Sequence, residues 1–195
     1  MYRYQVLIEY VGTKFVGWQK QLKGKSIQKE IENNLSKLLK QKITIYGSGR
    51  TDAGVHAIEQ SAHFDTKSKI QEIKKLIKSL NFFLNKKKIS IINIYNRKKK
   101  FHARFSAKVR IYKYYIINRL AAPSLENERA WHVRKKLDIK LLKKGAKKLI
   151  GTHDFSTFRA SNCYAKSPIK KINKITIKNN LLINSFFSGI SCMKI

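Results

Sequence analysis

Arg50 and Asp52 stand two residues apart in Tyr46-Gly47-Ser48-Gly49-Arg50-Thr51-Asp52-Ala53-Gly54-Val55-His56, inside a chain whose formal net charge is +32. A carboxylate suits a phosphate cradle badly, because it repels the very groups that so basic a chain attracts. Beside an arginine, however, an aspartate stays ionised, since the neighbouring positive charge favours the charged form. It can then act as a nucleophile or a general base. The plainer alternative is that Asp52 only turns or caps the loop through the backbone, as aspartate near glycine commonly does. His56 and His63 add candidate proton carriers near neutral pH. Neither has a second histidine or cysteine at ligand spacing, so no metal is expected.

The elements around this run must hold it still. Its glycines make a shaped loop, and the flanking Lys42–Tyr46 and Ile58–Phe64 are β-branched or aromatic with partial alternation, which predicts strands on both sides. Upstream, Tyr2–Tyr10 alternates as a strand, and Ser26 is placed to cap a helix whose Ile27, Ile31, Leu35, Leu38 and Leu39 recur at helical spacing to about Lys40. Trp18, in the connecting loop, fits core or hinge packing better than a base-stacking platform. A second helix is predicted over Ser68–Phe83 and a strand over Ile89–Tyr95. The order βαββαβ is the ferredoxin-like split arrangement, an antiparallel sheet with its helices on one face, also used by RNA-recognition modules. The other face is expected to be free for RNA.

A domain boundary is placed near residue 105, dividing the chain into 1–105 and 106–195. The second half is expected to repeat the theme incompletely. It offers a strand at Val109–Asn118, a loop around Pro123, a short segment at Trp131–Val133, a helix over Asp138–Ile150 stopped by Gly151, and strands at Ile169–Ile177 and Leu181–Phe187.

With 195 residues and 43% hydrophobic content, the chain is expected to bury a core. No long apolar run suggests a membrane span, and the N-terminus enters a strand pattern at once, so a cytoplasmic location is expected. Cys163 and Cys192 form neither a disulfide framework nor a zinc spacing and are read as reduced bystanders. Excess lysine and arginine point to a polyanion, since they neutralise phosphates and release counterions. Part of that charge is attributed to lysine drifting onto tolerant positions of a Lys-, Ile- and Asn-rich chain. Lys98-Lys99-Lys100, running into Phe101-His102-Ala103-Arg104-Phe105, is the better RNA contact, whereas Lys143-Lys144 and Lys147-Lys148 fall on the polar side of a helix.

The run Gly47–Ala57 resembles the signature of the tRNA pseudouridine synthase A family, in which Gly-Arg-Thr-Asp-Ala-Gly-Val-His surrounds the catalytic aspartate. Further blocks resemble the family in its own order: Glu9–Gln19, Phe101–Ala107, Tyr112-Lys113-Tyr114 and Asp154–Ala160. The resemblance implies an α+β protein of two ferredoxin-like halves around an RNA-binding cleft, the second half incomplete. It implies isomerisation of uridine to pseudouridine at positions 38 to 40 of the tRNA anticodon stem-loop, with Asp52 catalytic and no metal or organic cofactor. Arg50 would pair with Asp52 and displace the target base, while Tyr112 would pack on the uracil and assist loss of its C5 proton. Arg104 and Arg159 would contact phosphates. Without the resemblance, Tyr112 reads as a half-buried strand tyrosine and Arg159 equally well as a salt-bridge partner.

The family acts as a homodimer, with each tRNA bridging both subunits. It continues past the equivalent of Phe187 with a His-Met-Val-Arg helix whose arginine completes the active site. Here Ser188–Ile195 follows instead, which would leave a sheet edge uncovered, so either a C-terminally truncated or frame-shifted form or a partner chain that supplies the cover is expected. Lys194, two residues out of register with that arginine, is assigned no role. A catalytically impaired tRNA-binding remnant and a basic structural RNA-binding protein stand as the alternatives. The latter leaves the signature loop unexplained.

Overall fold

Strand β1 (Tyr2–Tyr10) buries Tyr4, Val6, Ile8 and Tyr10 and leaves the alternate residues less covered, so one of its faces is core. Helices α1 (Ile27–Leu39) and α2 (Ile73–Leu84) close that face with Ile27, Ile31 and Leu35 from the first, and Leu76, Leu80 and Leu84 from the second. Each such side chain withdrawn from water contributes roughly 1.5–3 kcal/mol. In this computed structural model the described residues are 1–159, 167–180 and 185–194, and they fall into two units, residues 1–107 and 108–195.

The first unit is completed by β2 (Ile45–Gly47), β3 (Ala57–Thr66) and β4 (Ile89–Arg97), giving the chain order βαββαβ. Its sheet runs β2-β3-β1-β4 with every neighbouring pair antiparallel. Ser26 caps α1 as expected, its Oγ accepting the Lys29 amide at 3.3 Å. Two boundaries differ from expectation. β2 begins at Ile45 rather than Lys42, because the amides of Ile43 and Ile45 donate to Ser36 Oγ and Glu32 Oε1 on α1 instead of a neighbouring strand. α2 begins at Ile73 rather than Ser68, because Thr66 Oγ1 donates to the Ser68 carbonyl and the Ile70 amide donates to the Tyr4 hydroxyl, fixing a turn.

The outer face of this sheet is covered at one end, around Arg3 and His63, while Glu9, Tyr46 and Tyr95 on the same face stay exposed. Residues 98–106 turn back across it. Arg3 donates from Nη1 to the carbonyls of Lys99 and Phe101, both at 2.7 Å, while Nε and Nη2 grip Asp65 Oδ1 and Oδ2 at 2.8 and 2.7 Å. Ala103, 2% exposed, donates its amide to Nδ1 of His63, itself 2% exposed, at 3.2 Å. Tyr46 stacks on His63 at 5.2 Å, and the His102 ring lies 4.5 Å from both His63 and Phe105.

The second unit holds β5 (Ile111–Asn118), β6 (Trp131–Val133), α3 (Ile139–Leu149), β7 (Gly151–Asp154), β8 (Ile169–Asn180) and β9 (Ser185–Lys194). Its sheet order is β6-β5-β9-β8-β7. The β5–β6 pair is parallel, so the second sheet is mixed rather than antiparallel; residues 119–130 provide the long connection that a parallel pair needs. β9 runs through Lys194 instead of stopping near Phe187, and residues 181–184 of the expected strand lie outside the described residues. Asp138 caps α3 by accepting the amides of Lys140 and Leu141. No residue of α3 is fully buried.

Candidate active site

The Gly47–His56 loop is fastened by the segment that follows β1. The Thr51 carbonyl accepts the Trp18 amide at 3.0 Å, and its Oγ1 shares a 2.8 Å hydrogen bond with the Tyr10 hydroxyl. Burial holds that hydroxyl's pKa above its ordinary value, only partly offset by Thr51. The Gly54 amide donates to the Phe15 carbonyl, and the Gly12 amide to His56 Nδ1 at 3.0 Å. Gly17 has φ +108°, and a Cβ there would lie 2.5 Å from the Thr51 carbonyl oxygen, so the two backbones touch where no side chain fits. On the far side the Ser48 amide donates to the Ser61 carbonyl, and Gln60 Nε2 to the Gly49 carbonyl.

This fastening decides where the chemistry-bearing side chains go. Thr51 is held inward by both its carbonyl and its hydroxyl, and its neighbours Arg50 and Asp52 are exposed. Both line an open cleft of about 480 Å³ with Val16, Gln19, Gln21, Thr51 and Ala53. Arg50 and Asp52 do not form the expected ion pair, whereas Arg3–Asp65, Lys75–Glu72 and Lys87–Glu30 do pair. The Asp52 carbonyl accepts the Val55 amide and so closes a turn, as the plainer reading had it. Its carboxylate, though, has no hydrogen bond or ion pair to any described residue. The backbone of Asp52 makes the turn, and the residue stays exposed at the cleft.

The remaining candidates are placed as follows. Arg104 is exposed in the first unit, its amide donating to His102 Nδ1 and its guanidinium 5.9 Å from the Phe105 ring centroid; it does not line the Asp52 cleft. Tyr112 lies on β5 in the second unit, opposite Ile190, and is 41% exposed. Arg159 is exposed in the second unit, its amide donating to the Ser156 carbonyl. Nearby, Asp154 accepts from the Ser156 amide and hydroxyl, which with Arg159 hold its carboxyl below the usual range.

Trp18 is 3% exposed and is core, as its position suggests. His56 and His63 both serve the backbone by accepting amides at Nδ1, and burial lowers the pKa of His63 to about 4, with His102 and Arg3 adding to the effect. Cys163 lies outside the described residues. Sequence reasoning missed the Arg3–Asp65 clamp, whose members are 62 positions apart with no local pattern linking them. Gln19 and Gln21 were visible beside Trp18 but nothing marked them as lining the cleft.

No helix among the described residues is long and apolar enough to cross a membrane, and no group of three or more His, Cys, Asp or Glu among them is placed to hold a metal. The family model described as tRNA pseudouridine synthase matches residues 6–106 and 146–187. A tRNA pseudouridine synthase A of Pelagibacter ubique (strain HTCC1062) is 68% identical over 179 residues, covering 92% of this chain and 73% of that relative. Proteins of the same name from Anaplasma phagocytophilum (strain HZ) and Neorickettsia sennetsu (strain ATCC VR-367 / Miyayama) are 43% and 41% identical over 178 residues each, covering 90% and 91% of this chain, and 72% and 73% of theirs. The matched residues contain the fastened loop, the segment that fastens it and the block laid across the sheet, and on that ground the chain belongs to the tRNA pseudouridine synthase family.

Proposed function

We propose that this chain isomerises uridine to pseudouridine in tRNA, at the family's positions 38 to 40 of the anticodon stem-loop, with Asp52 as the nucleophile or base. The observation that carries the reading is an exposed carboxylate, without a partner among the described residues, on a loop whose backbone is fixed on both sides. The reaction breaks the C1′–N1 glycosidic bond, turns the uracil while it stays bound, and joins C1′ to C5. The C5 proton departs and N1 gains one, so atoms balance without an external reagent. Asp52 would drive this by attack on the sugar or the ring, or by taking a proton. A rigid support matters because a detached base must not drift before the new bond forms.

Arg50, in the same cleft but unpaired with Asp52, would support a base displaced from its stack, a step required of any enzyme acting on a paired base. Tyr112 would pack on the uracil and assist loss of the C5 proton. Arg104 and Arg159 would contact phosphates. The wider reading is of two ferredoxin-like halves, 1–105 and 106–195, around an RNA-binding cleft, acting in the cytoplasm as a homodimer without metal or organic cofactor. The βαββαβ order of the first unit supports it.

Release of tritium from tRNA carrying 5-tritiated uridine tests the proposal, because C5 loses its hydrogen only when C1′–C5 has formed. Release by the parent chain and none by Asp52→Ala supports it. Equal release by both removes Asp52 from the chemistry, and binding without release by either leaves a tRNA-holding remnant.

A further inference from the structure

β4 leaves the sheet edge at Arg97 and runs into the segment that crosses the outer face. Arg3 takes the main chain of this segment at Lys99 and Phe101, and the Phe101 amide closes a turn onto the Lys98 carbonyl at 2.9 Å. With the backbone bound beneath, the side chains of Lys98 and Lys100 remain exposed. They line an open depression of about 530 Å³ with Asn96, Arg97, Phe101 and Ser106, and no acidic residue is among its walls. The nearby Asp65 carboxylate is already held by Arg3.

Arg97 is the fixed element of this depression. Its guanidinium lies 5.5 Å from the ring centroids of both Tyr95 and Phe101, and Nε donates to Gln5 Oε1 at 2.8 Å. Its Nη groups have no partner among the described residues. A planar guanidinium immobilised on aromatic rings with its fork unused, flanked by lysines, matches the geometry and charge of phosphate oxygens.

We propose that this depression is a second RNA subsite, separate from the Asp52 cleft, which takes phosphodiesters of the tRNA backbone. The inference rests on the tRNA reading above and adds where the substrate is gripped away from the reacting base. Lys98 and Lys100 supply the counterion-releasing contacts. Arg97 supplies the oriented one, and Arg3 fixes the loop that presents them.

The test is tRNA affinity of the full chain from 50 to 300 mM salt, for the parent, Lys98→Gln/Lys100→Gln, Arg97→Lys and, as a charge-matched control, Lys143→Gln/Lys144→Gln. Thermal melts confirm that each variant is folded. The Lys98/Lys100 variant is expected to bind on the order of tenfold more weakly near physiological salt, with a log–log salt slope shallower by about 1.5, or roughly 0.7–0.9 per lost phosphate contact. The control changes affinity by less than about twofold. Arg97→Lys keeps the charge and the slope but weakens binding several-fold, because the planar fork is lost. An unchanged slope in the Lys98/Lys100 variant, or equal weakening in the control, overturns the subsite, as does the absence of saturable tRNA binding by the parent. Tritium release separates the readings: release with no Lys98/Lys100 effect sinks the subsite alone, and the effect without release sinks the catalytic reading alone.

Discussion

The Trp18 indole occupies the place a side chain on Gly47 would need: a Cβ there would meet Cε2 and Nε1 at 2.7 Å. Trp18 is buried against Tyr10 at a ring distance of 6.2 Å, so it cannot swing aside cheaply. Gly47→Ala is therefore expected to destabilise the first unit by about 1–3 kcal/mol, as overpacking does, and to lower tritium release more than tRNA affinity. A thermal midpoint equal to the parent's would show that the indole has room to move.

Asp52→Ala removes a carboxylate without hydrogen bond or ion pair to the described residues. Its stability should stay within about 0.5 kcal/mol of the parent, as for other exposed sites of this kind, while isomerisation disappears. A large drop in denaturant midpoint would instead give the residue a structural task.

His63 sets a pH dependence. Buried and accepting the Ala103 amide at Nδ1, it resists protonation until about pH 4, whereas the unfolded chain takes up that proton near 6.5. The folded state thus binds fewer protons across this window, so stability is full above pH 6.5 and declines as pH falls toward 4. Urea unfolding at a series of pH values should show that decline in the parent and a flatter profile in His63→Gln. Identical slopes would mean that another group carries the acid sensitivity.

Arg3 and Asp65 act in a lower window. Hydrogen bonding to Arg3 holds the Asp65 carboxyl below its ordinary 3.8, so the pair's stabilisation is present above that value and is lost as pH falls through the lowered one. Arg3→Ala should cost about 1–2 kcal/mol at neutral pH, discounted because the pair is partly exposed to solvent. It should also expose the Lys99–Phe101 backbone to faster hydrogen exchange. Exchange unchanged at those amides would mean that His63 alone retains the segment.

The strands and α1 were legible because each rests on a local period: Tyr4, Val6, Ile8 and Tyr10 alternate, and Ile27, Ile31 and Leu35 recur by turns. Ser26 was legible as a cap for the same local reason. The shifted starts of β2 and α2 were not, because Glu32, Ser36 and Tyr4 capture those backbones from elsewhere in the fold. The signature loop stood out by composition, and its Arg50 and Asp52 do share one cleft. An ion pair between them was inferred from proximity in sequence. That inference failed because Thr51, anchored from Tyr10 and Trp18, directs its neighbours without bringing their charges together. The cover over the Arg3–His63 end of the sheet depended on Arg3 meeting Phe101 98 positions away, which no window of sequence reports.

One edge of β1 waits long for its partner. β1 lies in the middle of its sheet, between β3 and β4, and β4 does not begin until Ile89. On an elongating ribosome its hydrogen-bonding edges must therefore stay unpaired on one side until β4 has emerged. Such order by distant pairing slows folding and leaves a nascent edge open to wrong partners. Arg3 then closes over Phe101, so completion of this sheet and placement of the basic loop become a single event that finishes the first unit.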